Sequence, residues 1–280
     1  AAGSYAMARL VEVLGDDADR RVARLADWLA FPLVSVCGIL LIIDLNRPER
    51  FWHMLIASET WRPMFKWWSP MSVGSWGLAL FGAFSFTSFV AVVSEQFGRG
   101  GWTRWLRQGP TGWVFALCGA AASFFLASYT GVLLAVTNSP VWADTTWLGA
   151  LFLASSASTG LAALVLLANL RWSRLWPRPM PLESIERFER LDTYAIGLEL
   201  ALLAIWLVAL GGLALTTFTT WPGVLVLALV VPIGLILPWV LRWRMGHRAA
   251  VPAAVLVLLG GFVLRAAIVG MPLPLMLAAH

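Results

Sequence analysis

Charged residues are scarce in this sequence. Asp, Glu, Lys and Arg make up 12% of its 280 residues, 60% are hydrophobic, and the mean hydropathy is +0.78. Soluble domains carry about 25% charged residues, so this composition excludes an ordinary soluble protein. The apolar residues occur in runs of about 20, the length of helix that crosses about 30 Å of hydrocarbon. The sequence therefore predicts an all-α integral membrane protein.

Cysteine and histidine are also scarce, which limits the redox groups that the chain can hold. Cys37 and Cys118 lie inside apolar runs and form no CxxC or CxxCH motif. A covalent haem and an iron–sulfur cluster therefore lack their ligands. The three histidines, His53, His247 and His280, all lie outside the middle of an apolar run. We therefore expect no haem, no iron–sulfur cluster and no metal site in this chain.

The apolar runs predict eight transmembrane helices. The sequence opens Ala-Ala-Gly-Ser-Tyr without a methionine and already reads as the inside of a helix, so we expect the first span to be truncated. Pro222, Pro232 and Pro238 predict a bend in the seventh span. The predicted spans cover residues 1–14, 26–45, 71–94, 112–137, 146–170, 193–215, 223–240 and 251–269.

Lysine and arginine are distributed unevenly between the predicted loops. Of the 18 that fall in loops, 14 lie in the loops that join spans 1–2, 3–4, 5–6 and 7–8, and four lie in the loop between spans 2 and 3. Short loops rich in these residues stay in the cytoplasm, so both termini and the loop between spans 2 and 3 should face outward. The net charge of +5 therefore reports topology, and no nucleic-acid partner is expected.

Asp44 is a charged residue at the predicted outer end of the second span. It opens a polar run that contains Arg47, Arg50, Trp52 and His53. One interpretation is a helix-end carboxylate paired with Arg47 or Arg50. The other is a proton acceptor beside a bound redox ligand, with His53 or Trp52 in the same wall.

Tyr129 and Arg265 lie inside predicted spans towards the outer side. A buried phenol needs a hydrogen-bond partner, and that of Tyr129 is either a ligand carbonyl or a neighbouring backbone oxygen. A guanidinium facing lipid is costly, so Arg265 should face the interior of the bundle.

Arg9 and Glu199 are charged residues predicted to lie one to two turns from the inner surface. Their common depth suggests that they pair with each other, and Glu12 lies one turn from Arg9. Glu199 is either half of a structural ion pair or a step in a proton route.

Four stretches carry a family resemblance. The run 44–54, Asp-Leu-Asn-Arg-Pro-Glu-Arg-Phe-Trp-His-Met, is similar to the end of the second helix in the NrfD/polysulphide-reductase-C (PsrC) family of membrane subunits, with Asn46 where glycine is usual. The other stretches are Trp-Ser-Pro-Met-Ser-Val-Gly-Ser-Trp at 68–76, Tyr-Thr-Gly-Val-Leu-Leu at 129–134 with Pro140 and Trp142 after it, and Gly-Gly-Phe-Val-Leu-Arg at 260–265. The glycine-rich opening of the chain also resembles the family's first helix.

The resemblance implies two four-helix bundles, residues 1–140 with a quinone site and residues 141–280. It implies a haem-free subunit of a respiratory oxidoreductase in a bacterial or archaeal cytoplasmic membrane. Such a subunit binds menaquinone or a related quinone near the outer face. It exchanges electrons with a docked ferredoxin-like iron–sulfur subunit, and a further catalytic subunit is a molybdopterin enzyme or a multihaem cytochrome.

The resemblance also implies roles for single residues. Asp44, His53 and Tyr129 match positions near the quinone site, and Trp52 belongs to the same run. Asp44 and His53 are the expected catalytic pair. Glu199 and Arg265 match polar groups suspected of proton transfer, and we add Arg9 and Glu12 as further candidates for a proton path because they share the inner depth of Glu199.

Oxidation of a quinol releases two protons with two electrons, so its site needs hydrogen-bonding acceptors and an exit to water. Asp, His and Tyr side chains near one surface meet that need. Two other functions stay open. A proton-coupled transporter would show a midplane cavity and interrupted helices in corresponding positions of two halves, but the proline breaks fall only in the seventh span. A purely structural membrane anchor for a peripheral redox enzyme would keep the fold and the loops.

The orientation can be tested by labelling introduced cysteines in a chain whose Cys37 and Cys118 are replaced by serine. We expect Trp142→Cys to react with a membrane-impermeant maleimide added outside intact cells, and Arg104→Cys to react only after permeabilisation, because of the arginine asymmetry. Strong labelling at position 104 with none at 142 in intact cells would reverse the predicted topology.

Overall fold

The computed structural model of the protein describes residues 1–15, 19–98, 100–106, 109–170, 181–214 and 219–272, without the side chains of 100, 102 and 104. Within these ranges the regular structure is helical, apart from one isolated β-bridge between Ile56 and Pro63. The chain divides into two compact units, Ala1–Tyr129 and Thr130–His280.

The first unit is built from four long helices and two 3₁₀ segments. Their bounds are α1 Ala2–Leu14, α2 Asp19–Ile43, a 3₁₀ segment Pro48–Met54, α3 Pro70–Gln96, a 3₁₀ segment Gly100–Leu106 and α4 Gly109–Ala135, whose last residues belong to the second unit. Helix α2 begins seven residues before the predicted span, at residue 19 instead of 26. Hydropathy marks where a chain enters hydrocarbon, whereas the helix continues through the charged turn that holds Arg20, Arg21 and Arg24.

The second unit contains two long uninterrupted helices, followed by a longer, irregular helical stretch. Its elements are α5 Pro140–Ala143, α6 Trp147–Asn169, α7 Leu182–Ala209, α8 Trp221–Leu225, a π-helix Val226–Ile236, α9 Leu237–Met245, a 3₁₀ segment Gly246–Ala249 and α10 Ala250–Gly270.

Six helical stretches in the described ranges are long and apolar enough to cross a membrane, which makes the chain a multi-pass membrane protein. The prediction was eight. Helix α1 covers 13 residues of the first predicted span. The last two predicted spans fall within the stretch Trp221–Gly270, which is counted once. Gly246 has φ of +55° and α10 packs back against α9 and the π-helix, so the chain turns between these two predicted spans.

The seventh predicted span contains an 11-residue π-helix, with Pro232 inside it. Proline lacks a backbone N–H and cannot donate to an ordinary helical hydrogen bond. The winding there is wider than in an α-helix, and the N–H of Leu237 donates to the carbonyl of Pro232 in an i→i+5 hydrogen bond. The bend that the prolines predict stays a prediction, and the irregularity described in this span is its π-helical winding.

The core of the first unit lies where α1 and α2 pack against α3. Tyr5 is fully buried, contacts the ring of Phe81 edge-on at 5.6 Å, and its hydroxyl lies 2.8 Å from that of Ser88. One turn away, Arg9 lies over the Tyr5 ring and binds Asp27 of α2 at 2.6 Å. An apolar core and a buried ion pair therefore join the first two helices.

In the second unit, α6 packs against both α7 and α10. The buried face of α6 is mainly apolar but includes Ser155 and Ser158, and the largest buried side chains of this core include Leu148, Leu151, Leu161, Leu164 and, from α7, Trp206. Helix α10 approaches the π-helix at two glycines. A Cβ on Gly260 would lie 2.5 Å from the Cα of Gly234, a separation that only glycine allows.

We expect Asp27→Ala to lower the free energy of unfolding by about 3 kcal/mol, because Arg9 keeps its charge in a buried site with one carboxylate fewer. The matched control is Glu95→Ala, which removes the partly exposed Arg24–Glu95 pair at 3.6 Å and should cost less than about 1 kcal/mol. Unfolding in mixed micelles gives both values. Equal losses for the two variants would show that burial does not set the strength of the Arg9 pair.

Candidate functional site

The polar run that follows α2 forms a short ordered segment. Asp44 comes directly after the helix, its N–H donates to the Leu40 carbonyl at 3.0 Å, and its side chain is exposed. Pro48 then starts the 3₁₀ segment that ends with His53 and Met54. Proline is favoured at such a start because its fixed φ suits a helical turn and its missing N–H is not needed there.

Trp52, His53 and Trp61 carry stacked rings. The centroids of Trp52 and His53 lie 3.9 Å apart at 23°, and Trp61 stacks on Trp52 at 5.6 Å and 14°. The Nδ1 atom of His53 lies 3.1 Å from the carbonyl oxygen of Arg50. A carbonyl only accepts, so the ring proton is on Nδ1 and the neutral ring has its acceptor at Nε2.

Trp61 reaches this stack from a small hairpin-like loop. The loop is closed by hydrogen bonds from Met64 N–H to the Leu55 carbonyl at 2.8 Å and from Ala57 N–H to the Arg62 carbonyl at 2.9 Å. Trp61 has φ of +53°, and it is the one non-glycine residue in the described ranges with a positive φ. L residues rarely adopt this conformation, so the surrounding bonds hold Trp61 in a strained backbone position.

The first two turns of α3 fix the same loop. Ser72 Oγ and Trp76 Nε1 donate to the carbonyl of Met64 at 3.3 and 3.0 Å, and Ser75 Oγ contacts Met54 Sδ at 3.7 Å. These residues belong to the stretch 68–76, for which the motif analysis predicted no individual roles. Nothing in the sequence paired them with Met64, because the contact depends on how the loop folds back.

Tyr129 is bonded within the protein. Its hydroxyl donates to the carbonyl of Pro70 at 2.6 Å, which leaves the phenol oxygen able to accept. The ring lies against Gly74, where a Cβ would overlap it, so Gly74 makes room for the tyrosine between α3 and α4. Of the two partners considered for this phenol, the neighbouring backbone oxygen is the one present.

The structure therefore brings together some of the predicted residues and leaves others apart. Trp52 and His53 are in contact, and Tyr129 is tied to the start of α3. Among the described residues, no hydrogen bond or ion pair joins the Asp44 side chain to His53 or Tyr129, and none pairs it with Arg47 or Arg50. The carboxylate of Asp44 is exposed at the end of α2.

Arg9 lies at the opposite end of this unit and has partners other than the predicted one. It binds Glu12 at 2.6 Å, as its i,i+3 spacing predicted, and Asp27 at 2.6 Å. A cavity of about 680 Å³ reaches this group and is also lined by Arg20, Arg24, Glu95 and Trp113.

Glu199, which shares the predicted depth of Arg9, belongs to the second unit. It is fully buried and accepts a hydrogen bond from Ser158, near the middle of α6. Its pairing with Arg9 stays a prediction.

Arg265 lies in α10 and interacts electrostatically with Glu199. Its Nη1 donates to the carbonyl of Gly261 at 3.4 Å, and the residue is half-buried. Arg265 therefore interacts with the interior of its own unit, which agrees with the expectation that its guanidinium does not face lipid.

Comparison with protein families decides the identity of the chain. The family described as "Polysulphide reductase, NrfD" matches residues 1–272. The chain belongs to the NrfD family. No curated protein gives a significant match over the chain.

NrfD proteins are membrane subunits of polysulphide reductase and related oxidoreductase complexes, in which they assemble with iron–sulfur and catalytic subunits. In the described part of this NrfD chain, no group of three or more His, Cys, Asp or Glu side chains is arranged to hold a metal ion. The match supports the resemblance found in the motifs, and it says nothing about individual site residues.

The fit of Tyr129 against Gly74 generates a stability prediction. Gly74→Ala should destabilise the protein by about 1–3 kcal/mol, since the new methyl group overlaps the Tyr129 ring and must displace it. Gly82→Ala on the same helix is the control, because a Cβ there meets nothing within 4 Å. The melting temperature in detergent should fall for the first variant only, and equal melting temperatures would contradict the packing described.

Proposed function

We propose that this NrfD subunit binds menaquinone or a related quinone near the outer membrane face, in the first unit, and exchanges its electrons with a docked iron–sulfur subunit. The observation that carries the proposal is the His53–Trp52 stack. The Arg50 carbonyl orients an imidazole whose free Nε2 is a hydrogen-bond acceptor, and an aromatic ring lies flat against it. A planar ligand with hydroxyl or carbonyl oxygens is complementary to such a wall.

The residues present fit a quinone head group. His53 accepts a hydrogen bond from a quinol hydroxyl, Trp52 supplies a flat apolar face, and the phenol oxygen of Tyr129 is a second acceptor. Exposed apolar side chains near the end of α2, such as Leu40 and Ile43, offer a surface for an isoprenoid tail. Strain at Trp61 is consistent with this role, because strained backbone positions cluster at binding and catalytic sites.

A quinol supplies two electrons and two protons when it is oxidised. Asp44 and His53 are the proposed acceptors of those protons. Asp44 is exposed, so a proton that it receives passes directly to bulk water. In the reverse direction the same carboxyl donates the proton. Asp44 thus supplies the exit to water and His53 supplies orientation and a first acceptor.

The partner is proposed to dock on the loop between α2 and α3. Arg47, Arg50, Arg62 and Lys66 are all exposed there, next to the exposed rings of Trp67 and Trp68. Arginine and aromatic side chains are enriched in protein interfaces, and the positive charge of this surface is complementary to an acidic face. A ferredoxin-like iron–sulfur subunit fits these properties, with a molybdopterin enzyme or a multihaem cytochrome beyond it.

The wider arrangement is part of the same proposal. Eight helices form two four-helix bundles, residues 1–140 and 141–280, in a bacterial or archaeal cytoplasmic membrane with both termini outside. Arg9, Glu12, Glu199 and Arg265 are candidates for a proton path. All four lie in or beside buried ion-paired or hydrogen-bonded groups, which is where intramembrane proton relays occur.

Asp44→Asn should lower quinol turnover of the assembled complex by about 10²-fold, because the amide keeps the shape but no longer takes a proton. Quinone binding should largely survive in this variant. His53→Ala should weaken quinone binding more than it slows chemistry, since it removes the oriented acceptor. Steady-state kinetics, together with titration of a fluorescent quinone analogue, separate the two effects.

Glu59→Gln is the matched control for Asp44→Asn, because it neutralises another exposed carboxylate of the same loop. Its turnover should equal that of the wild type. Wild-type turnover by Asp44→Asn would remove the catalytic assignment from Asp44. Quinone binding unaffected by His53→Ala would overturn the site itself and favour a purely structural anchor.

A further inference from the structure

Helix α7 carries three acidic residues along one face. Glu189, Asp192 and Glu199 are separated by three and seven residues, a spacing that keeps them on one side of an α-helix. Glu189 is 7% exposed and the other two are fully buried. The three carboxylates extend over ten residues, or about 15 Å along the helix axis, which is about half of the hydrocarbon thickness.

Each carboxylate has a partner from a different element. His247 Nδ1 lies 2.7 Å from Glu189 Oε1, Arg242 forms an ion pair with Asp192, and Ser158 donates to Glu199. His247 is the most exposed of these side chains, so the series begins at the surface and ends near the middle of α6. All lie in the second unit.

Two atoms along this series are buried and make no hydrogen bond within the described part of the chain, Asp192 Oδ1 and Arg242 Nε. Buried polar atoms are almost always hydrogen-bonded, and ordered water supplies the bond where protein does not. Ser155 acts with Ser158 as a hydrogen-bond donor to Glu199, and Asp192 interacts electrostatically with Glu189 and Glu199. We refer to these residues on one face of α7, with their partners, as the polar track.

We propose that this track, His247–Glu189–Asp192–Glu199, is a hydrated proton route from one membrane surface to the interior of the second unit. The arginine asymmetry predicts that its entrance faces the cytoplasm. Each carboxyl or imidazole group takes up one proton and passes one on, so no oxidant or covalent step is required. The route itself does not depend on the quinone site; only its coupling to turnover rests on the proposed function.

A set of purely structural ion pairs explains the arrangement less well. Arg242 accounts for Asp192, but Glu199 has a serine hydroxyl as its hydrogen-bond donor and no ion pair within 4 Å among the described residues. Arg265 acts on it only at longer range. Placing a carboxyl group in such a site costs several kcal/mol, and intramembrane carboxyl groups in this situation are a mark of proton relays.

The titratable and charged groups that face the track come from four elements. Helix α7 contributes Glu189, Asp192 and Glu199, α9 contributes Arg242, the 3₁₀ segment after α9 contributes His247, and α10 contributes Arg265. Arg242 holds Asp192 in place, whereas Arg265 acts on Glu199 only at longer range. The histidine is partly exposed and lies at the surface end of the track, which suits the entrance of a proton route.

The test is deuterium exchange of the Glu199 carboxyl group, followed by infrared difference spectroscopy of the full chain in lipid nanodiscs. The C=O band that Glu199→Gln removes identifies the residue. On transfer to D₂O this band should shift quickly in the wild type. It should shift about 10²-fold more slowly in Asp192→Asn, the lower end of the effect of losing a positioned proton-transfer group.

Two further variants keep the test decisive. His247→Gln alters the partly exposed entrance and should also slow the exchange if Asp192→Asn proves unstable. Glu183→Gln changes an exposed carboxylate on the same helix and should leave the exchange unchanged. Exchange at the wild-type rate in both Asp192→Asn and His247→Gln would overturn the route, and so would the absence of any band lost in Glu199→Gln.

The quinone site can be tested separately from the proton route. Asp44→Asn in the same nanodiscs should leave deuterium exchange at Glu199 at the wild-type rate, because the two groups belong to different units. Slowed quinol turnover in Asp44→Asn with normal exchange would support both proposals. Normal quinol turnover in Asp44→Asn, together with slowed exchange in Asp192→Asn, would remove the catalytic role of Asp44 and keep the proton route.

Discussion

Hydrocarbon offers no partner to a charge or a hydrogen-bonding group, so a polar side chain that this protein buries needs a partner from the protein or from ordered water. Arg9 binds Asp27 and Glu12, Arg242 binds Asp192, and Tyr129 binds the Pro70 carbonyl. These bonds fix which helices are neighbours and how each is rotated about its axis. Breaking one leaves an unpaired group in a medium that cannot solvate it, which costs more than the same change at a water-exposed surface.

The same requirement separates the structure into two kinds of polar region. Beyond the end of α2, the side chains are largely exposed, and the loop is held by backbone hydrogen bonds and stacked rings. Inside the second unit, buried polar atoms form a series with partners from several helices. In the proposed quinone site, protons leave through the exposed loop and electrons leave through a partner subunit. A proton route through a bundle instead needs groups that hold water inside the protein.

Composition and spacing were sufficient to predict a helical membrane protein and most of its apolar segments. They also placed Glu12 next to Arg9, because residues three apart on a helix are neighbours. They did not reveal Asp27, which lies 18 residues from Arg9 and meets it only because α1 and α2 pack together. Glu189, Asp192 and His247 were not singled out either, since they lie in polar stretches between apolar runs and look like loop residues. The helix continues through such stretches, so hydropathy underestimates its length.

The π-helix Val226–Ile236 has a consequence for the second unit. Wider winding changes the direction in which every later side chain points, because each residue of an ordinary helix contributes about 100° of rotation. The face that Arg242 presents to Asp192 is therefore set 6 to 16 residues upstream, in the turns around Pro232. The close approach of Gly234 to Gly260 holds those turns against α10. A return to ordinary α-helical winding there would rotate Arg242 away from the Asp192 carboxylate. The π-helix therefore sets the direction of the Arg242 side chain as well as forming part of a membrane-spanning helix.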